Sequence, residues 1–141
     1  MEDTFHLGIK ALIKNAKGEI LLLKVNPEAL KNFHGEPYWD IPGGRVRKGK
    51  SIEDTLIREV KEETGINSIS NIKRLDMVLS NIRIPMGNDT VGLILAVYEC
   101  SIPDNITIRL SKEHIEFGWF SIQVTKQLLS IKYPQDFIEK I

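Results

Sequence analysis

Gly43 to Ile66 reads GGRVRKGKSIEDTLIREVKEETGI, and its second half carries both helix signals and a concentration of acid. Ser51 with Asp54 three residues later is a capping-box-like start, and Gly65 after Thr64 is a C-terminal stop, which predicts a helix over Ile52 to Thr64. Ile52, Leu56 and Val60 recur every four residues with Ile57 beside them, an apolar stripe suited to packing on a sheet. Glu59, Glu62 and Glu63 stand three and four residues apart, so on a helix they share one face and converge on a small volume. Like charges so placed repel, with Arg58 and Lys61 as the nearby cations. The acids flank the apolar stripe, so Glu63 is expected to be partly desolvated. A hard divalent ion such as Mg²⁺ takes carboxylate oxygens, keeps waters for substrate phosphates, and would turn the repulsion into a binding site.

Before this stretch, Phe5, Leu7, Ile9, Ala11 and Ile13 alternate with other residues, Asn15 to Gly18 is turn-like, and Glu19 to Val25 is a second apolar run. That is a strand, turn, strand pattern. Asn26 to Pro37 reads as a loop with a short helical piece around Glu28 to Phe33, followed by a strand at residues 39–41. After the helix, Ile72 to Ile84 and Thr90 to Ile102 read as two long strands joined by Pro85-Met86-Gly87-Asn88-Asp89. Trp119 to Ile122 is a shorter apolar segment, Val124 to Ser130 an amphipathic helix, and the residues from Pro134 a terminal helix. Strands on both sides of one central helix, with another helix near the end, indicate an α/β layered fold.

At 141 residues the chain is the size of one domain, and 1–141 is read as such. Nineteen basic and nineteen acidic residues cancel, so no global field recruits nucleic acid or an anionic membrane. The lone cysteine, Cys100, excludes an intramolecular disulfide and lies in an apolar run, where it reads as core. The longest apolar stretch, Val91 to Val97, is too short to cross a bilayer, and the N-terminus lacks a basic-then-apolar signal pattern. A cytoplasmic protein is expected.

With its glycines in register, the run resembles the box of the Nudix hydrolases: Gly, five residues, Glu, seven residues, then Arg-Glu-apolar-x-Glu-Glu-x-Gly-apolar. Gly44, Arg58, Glu59, Val60, Glu62, Glu63, Gly65 and Ile66 match it. Lys50 departs from it, reversing the charge of the first box glutamate, with Glu53 one turn on as a compensating acid. Tyr38-Trp39-Asp40-Ile41-Pro42-Gly43-Gly44 is similar to the family's strand and double-glycine turn, and Glu113 to Trp119 to its late acidic and tryptophan segment. An Arg-Glu-x-x-Glu-Glu run alone is usually a solvated face; the glycines in register decide against that reading here.

The resemblance implies an α/β/α sandwich around a mixed β-sheet, and hydrolysis of a nucleoside diphosphate linked to another group. Water attacks phosphorus while Mg²⁺, or Mn²⁺ in its place, offsets developing charge. Glu59, Glu62 and Glu63 are expected to hold the metal, with the Gly43 carbonyl as the family's matching glycine does. Arg58 is expected to orient Glu59 through a charge-assisted hydrogen bond. The family places its general base in the box or on a late acidic loop, and Glu113 is the candidate there, with Glu116 second. Arg45, Lys24 and Gly44 form the substrate-binding set, while Arg47, Lys48 and Lys50 read as solvated. His6, His34 and His114 read as loop or surface residues, Trp39 and Trp119 as core, and Tyr38 or Phe33 as a nucleobase platform. The expected substrate is a (d)NTP or similar small nucleotide. A catalytically weak nucleotide-binding regulatory module, marked by Lys50, is the alternative; net charge argues against nucleic acid as a partner. Family members are often dimers, so a homodimer is the oligomeric expectation.

Overall fold

The structure, a computed structural model, describes residues 1–30 and 36–141. The chain runs β1 (Phe5–Lys14), β2 (Ile20–Val25), β3 (Trp39–Asp40), β4 (Gly43–Arg45), α1 (Ile52–Thr64), β5 (Ser70–Leu79), β6 (Ile84–Met86), β7 (Asp89–Ser101), β8 (His114–Phe120), α2 (Ile122–Leu129) and α3 (Gln135–Ile138). The main path of the sheet is β3-β2-β1-β7-β5, with β8 also on β2, β4 on β1 and β6 on β7. β1 and β7 are parallel in register from Phe5 opposite Gly92 to Lys14 opposite Ser101, and the remaining pairs are antiparallel. The sheet is mixed, as expected.

Strand alternation sends side chains to two opposite cores. Ile9, Ala11, Ile13, Leu21 and Leu23 pack with Leu56 and Val60 of α1. Leu12, Ile20, Leu22, Leu95 and Val97 pack on the other face with Leu129, Tyr133 and Phe137 of the C-terminal segment. Helices therefore cover both faces, and the α/β sandwich stands. Cys100 is buried in the α1-side core, and burial pushes its thiol up to about 12, so it packs as an apolar side chain.

Several boundaries differ from the sequence reading. β5 stops at Leu79, short of Ile84, because Ser80 and Asn81 turn away to the C-terminal segment: the Asn81 N–H and the Ser80 hydroxyl both donate to the Lys132 carbonyl, at 2.8 and 3.0 Å. The strand resumes as β6, and Gly87, at φ +61°, closes the hairpin to β7. The apolar segment at Trp119 is the end of a seven-residue strand, β8. α2 begins at Ile122 because the Ser121 hydroxyl accepts from the Val124 N–H, an N-cap. Ahead of β3, a 3-10 turn covers Pro27–Ala29 and ends at Leu30, whose backbone is extended, while residues 31–33 of the helical piece expected to Phe33 lie outside the described residues.

Candidate active site

α1 forms where the sequence places it. Ser51 Oγ accepts from the Asp54 N–H at 3.0 Å, and Gly65, at φ +78°, donates to the Lys61 carbonyl at 2.9 Å. Its buried face differs from the expected stripe. Leu56 and Val60 are buried with Thr55, Glu59 and Glu63, whereas Ile57 and Ile52 are each 41 % exposed. The face is rotated toward the acids because two of them are anchored by protein groups.

Glu59 Oε1 accepts from Arg58 Nη2 at 2.9 Å, and Arg58 Nε lies 3.9 Å from Glu62 Oε1. Arg58 thus sits between two box acids. Arg58 Nε is buried without a hydrogen-bond partner. Glu62 is the exposed acid, its side chain 54 % accessible. Glu63 Oε1 accepts from the Gly43 N–H at 2.7 Å, and Glu63 Oε2 lies 3.7 Å from His114 Nδ1. The three box acids therefore do not close on one point: Glu59 and Glu62 turn onto Arg58, and Glu63 onto the glycine turn and β8. Among the described residues, the closed group is Glu63, Glu113 and His114, whose potential ligand atoms all lie within 4.8 Å of one another.

The two glycines are fixed by space. A Cβ on Gly43 would lie 2.1 Å from the Ile9 carbonyl oxygen of β1, and one on Gly44 would lie 2.4 Å from Glu59 Cδ. Close backbone approach at Gly43 aims its N–H at Glu63; at Gly44 it leaves room for the Glu59 carboxylate.

The outer residues sort differently. Arg45 Nη1 lies 2.8 Å from His6 Nδ1 in an exposed pair. Lys24 Nζ is 3.9 Å from Glu116 Oε2 and 5.8 Å from the centre of Trp39. Glu116 is thus occupied by Lys24, and Glu113, the first candidate for the late acid, is the one beside Glu63. Lys50 and Glu53 are both exposed. Tyr38 is 6 % exposed, so it is not a nucleobase platform; Phe33 and His34 lie outside the described residues.

His114 corrects the reading of a surface histidine, since its side chain is only 7 % exposed. No spacing signal marked it, because its neighbours Glu63 and Lys10 come from distant elements. A buried charge cluster was equally unseen. Asp40 Oδ2 accepts from Lys10 Nζ at 3.0 Å and Lys132 Nζ at 2.6 Å, and Asp40 Oδ1 accepts from the Tyr133 hydroxyl at 2.6 Å. It ties β3, just before the glycine turn, to β1 and to the C-terminal segment.

Electrostatics follow from this packing. Burial pushes Glu63 up to about 8, with neighbouring Glu113 adding to the rise. Burial, reinforced by Lys10, pushes His114 down to about 4, so its imidazole is neutral at pH 7. Burial would raise Asp40, but Lys10 and Lys132 overcome it and hold the carboxyl far below the usual range. Burial lowers Lys132 to about 8.

Glu63 titrates near 4.5 unfolded and about 8 folded, so the folded state holds an extra proton between those values. Its contribution to stability is full below 4.5 and is lost as pH rises to about 8. His114, at 6.5 unfolded and about 4 folded, runs the other way and fades only about one pH unit above 6.5, while Lys132, at about 8 folded against 10.5 unfolded, opposes the loss from the alkaline side. Metal-free protein is therefore expected to lose stability between pH 6.5 and 7.5, by less than the about 1.4 kcal/mol per pH unit of one full proton. Urea unfolding in EDTA should show this slope and Glu63→Gln should flatten it; an unchanged slope in the variant would refute the assignment.

The NUDIX domain family matches residues 4–139. The chain is 38 % identical over 66 residues to a putative 8-oxo-dGTP diphosphatase of Bacillus subtilis, covering 47 % of this chain and 39 % of that protein. It is 28 % identical over 120 residues to the mouse asymmetrical bis(5'-nucleosyl)-tetraphosphatase, covering 84 % and 74 %. Arabidopsis thaliana Nudix hydrolase 2 is 39 % identical over 62 residues, and the chain spans 21 % of its length. The crystal structure of the MutT protein of Methanosarcina mazei superposes with a TM-score of 0.72 at 30 % identity, covering 99 % of this chain and 94 % of that one. A Caenorhabditis elegans Ap4A hydrolase shares the fold at TM-score 0.71 and 18 % identity, covering 96 % and 93 %. With a box in register, Glu63 anchored on the glycine turn and a family match over nearly the whole length, the chain belongs to the Nudix family.

Proposed function

We propose that this chain is a divalent-metal-dependent pyrophosphohydrolase that cleaves a diphosphate linkage in a nucleoside diphosphate derivative, a (d)NTP or similar small nucleotide. The observation that carries the reading is the Glu63 carboxylate, 4 % exposed, held by the Gly43 N–H with Glu113 beside it. Juxtaposed acids at low dielectric suit a hard cation, so the residues fit the metal that the family implies. Mg²⁺, or Mn²⁺ in its place, would be held by Glu59, Glu62, Glu63 and the Gly43 carbonyl, and when bound it supplies charge for a phosphoryl transition state and acidifies a water. The chain's own groups do the rest: Arg58 orients Glu59, Glu113 serves as the late acid that takes the water's proton, and Arg45, Lys24 and Gly44 meet substrate phosphates. The names of two relatives, an 8-oxo-dGTP diphosphatase and a dinucleoside tetraphosphatase, support a nucleotide substrate. A cytoplasmic homodimer without nucleic-acid partners is part of the same proposal.

A panel of nucleoside diphosphate derivatives incubated with Mg²⁺ and with Mn²⁺ tests it. Release of phosphate, pyrophosphate or a nucleoside monophosphate from at least one member is expected. Tight nucleotide binding with no turnover in either metal would instead support the regulatory reading that Lys50 suggests. Gly44→Ala checks the geometry, because the new methyl displaces the Glu59 carboxylate. It should lower kcat by about 100-fold, as misplacement of about 1 Å does, while the unfolding midpoint stays close to that of the parent. Unchanged turnover would show that the position of Glu59 does not matter.

A further inference from the structure

The His114 imidazole lies outside the box yet is buried against it. Its Nδ1 is buried without a hydrogen-bond partner and faces Glu63 Oε2 at 3.7 Å, beyond hydrogen-bond length. Glu113 completes the group within 4.8 Å. A buried ring nitrogen without a partner and two adjacent carboxylates each cost free energy, and one cation bonded to all three relieves both. The 3.7 Å separation is close to the ~3.4 Å expected of two ligand atoms about 2.1 Å from a tetrahedral metal.

We infer that Glu63, Glu113 and His114 form a mixed carboxylate and imidazole site that selects a borderline transition-metal ion, of the Co²⁺ or Zn²⁺ kind, over Mg²⁺. Oxygen-only ligand sets suit Mg²⁺, which demands near-octahedral geometry and sheds water reluctantly; an imidazole nitrogen shifts preference toward Co²⁺, Ni²⁺ and Zn²⁺. Three elements hold the ligands in place. The Gly43 N–H fixes Glu63. Asn26 fixes the segment ahead of β8, its N–H donating to the Glu113 carbonyl at 2.8 Å and its Nδ2 to the Lys112 carbonyl at 3.0 Å. β8, paired with β2, carries His114. The opposing charge is Lys10, and its ammonium is committed to Asp40 at 3.0 Å. The inference rests on the reading of Glu63 as a metal ligand; it places a borderline ion in preference to Mg²⁺ at that carboxylate, held through His114 Nδ1, and takes Glu113 as a ligand in place of a proton acceptor.

Co²⁺ alone, added to metal-free protein and followed by proton NMR in water, tests it. A far-shifted, exchangeable imidazole N–H resonance is expected in the wild type. It should persist in the double variant His6→Gln, His34→Gln, which leaves His114 as the remaining one of the chain's three histidines. It should vanish in His114→Gln, and calorimetry should show the preference for Co²⁺ over Mg²⁺ falling by at least about tenfold there. The double variant carries the assignment whatever the stability of His114→Gln. Bound Co²⁺ without such a resonance in the wild type, or its loss in the double variant, overturns the site while leaving the proposed hydrolase intact. Failure to bind either Co²⁺ or Mg²⁺ overturns both.

Discussion

Asp40→Ala is expected to lower the free energy of unfolding by about 3–5 kcal/mol, the scale for removing one partner from a buried ion pair. Asp40 is 2 % exposed, and Lys10 and Lys132 are 7 % and 8 % exposed. Without the carboxylate, two ammonium groups and the Tyr133 hydroxyl lose their common acceptor in a site that water barely reaches. Lys132→Met should behave differently, because burial already disfavours the Lys132 charge and Lys10 remains to pair Asp40. Its unfolding free energy should stay within about 1 kcal/mol of wild type, or exceed it. Urea midpoints for the two variants give the comparison. A loss below about 1 kcal/mol in Asp40→Ala would mean that the cluster does not hold β3 to the C-terminal segment. The consequence reaches the site, since Asp40 precedes the turn that aims the Gly43 N–H at Glu63.

Glu62→Gln is the second large effect, and it falls on chemistry instead of folding. The Glu62 side chain is 54 % exposed and meets Arg58 only at 3.9 Å, so the amide should leave stability nearly unchanged. As a proposed metal ligand, its loss of charge should lower kcat by about 1,000-fold, or ~4 kcal/mol of transition-state stabilisation. The same substitution at Glu59 is a poorer probe, because it also strips Arg58 of its 2.9 Å partner. A Glu62→Gln enzyme within about threefold of wild type would remove Glu62 from the metal site and leave Glu59 and Glu63 to hold it.

Much of this was legible in local signals. Ser51, Gly65 and the Leu56 to Val60 spacing bounded α1, alternation placed β1 and a continuous apolar run placed β2, because caps, periods and runs are properties of short windows. The register of Gly44 with Arg58, Glu59, Glu62 and Glu63 singles out the candidate site within one short window. What stayed hidden depends on pairing across the sheet. Lys10 shares the strand parity of core residue Leu12, which marks it as inward-facing, yet nothing local names Asp40 and Lys132, distant in sequence, as its partners. His114 read as a surface residue for the same reason: only the pairing of β8 with β2 carries it to Glu63. Ile57 sat beside the apolar stripe but is exposed, since the helix rolls toward Glu59 and Glu63 once Arg58 and the Gly43 N–H hold them.

In the proposed hydrolase the acids of α1 work through a bound divalent ion on a nucleotide diphosphate linkage. Phosphorus NMR of a nucleoside triphosphate with wild-type protein tests it most directly, recorded in EDTA and again after Mg²⁺ is added in excess. An unchanged spectrum is expected in the chelator, and cleavage at a phosphoanhydride once the ion is supplied. Cleavage that proceeds equally well in the chelator would contradict it.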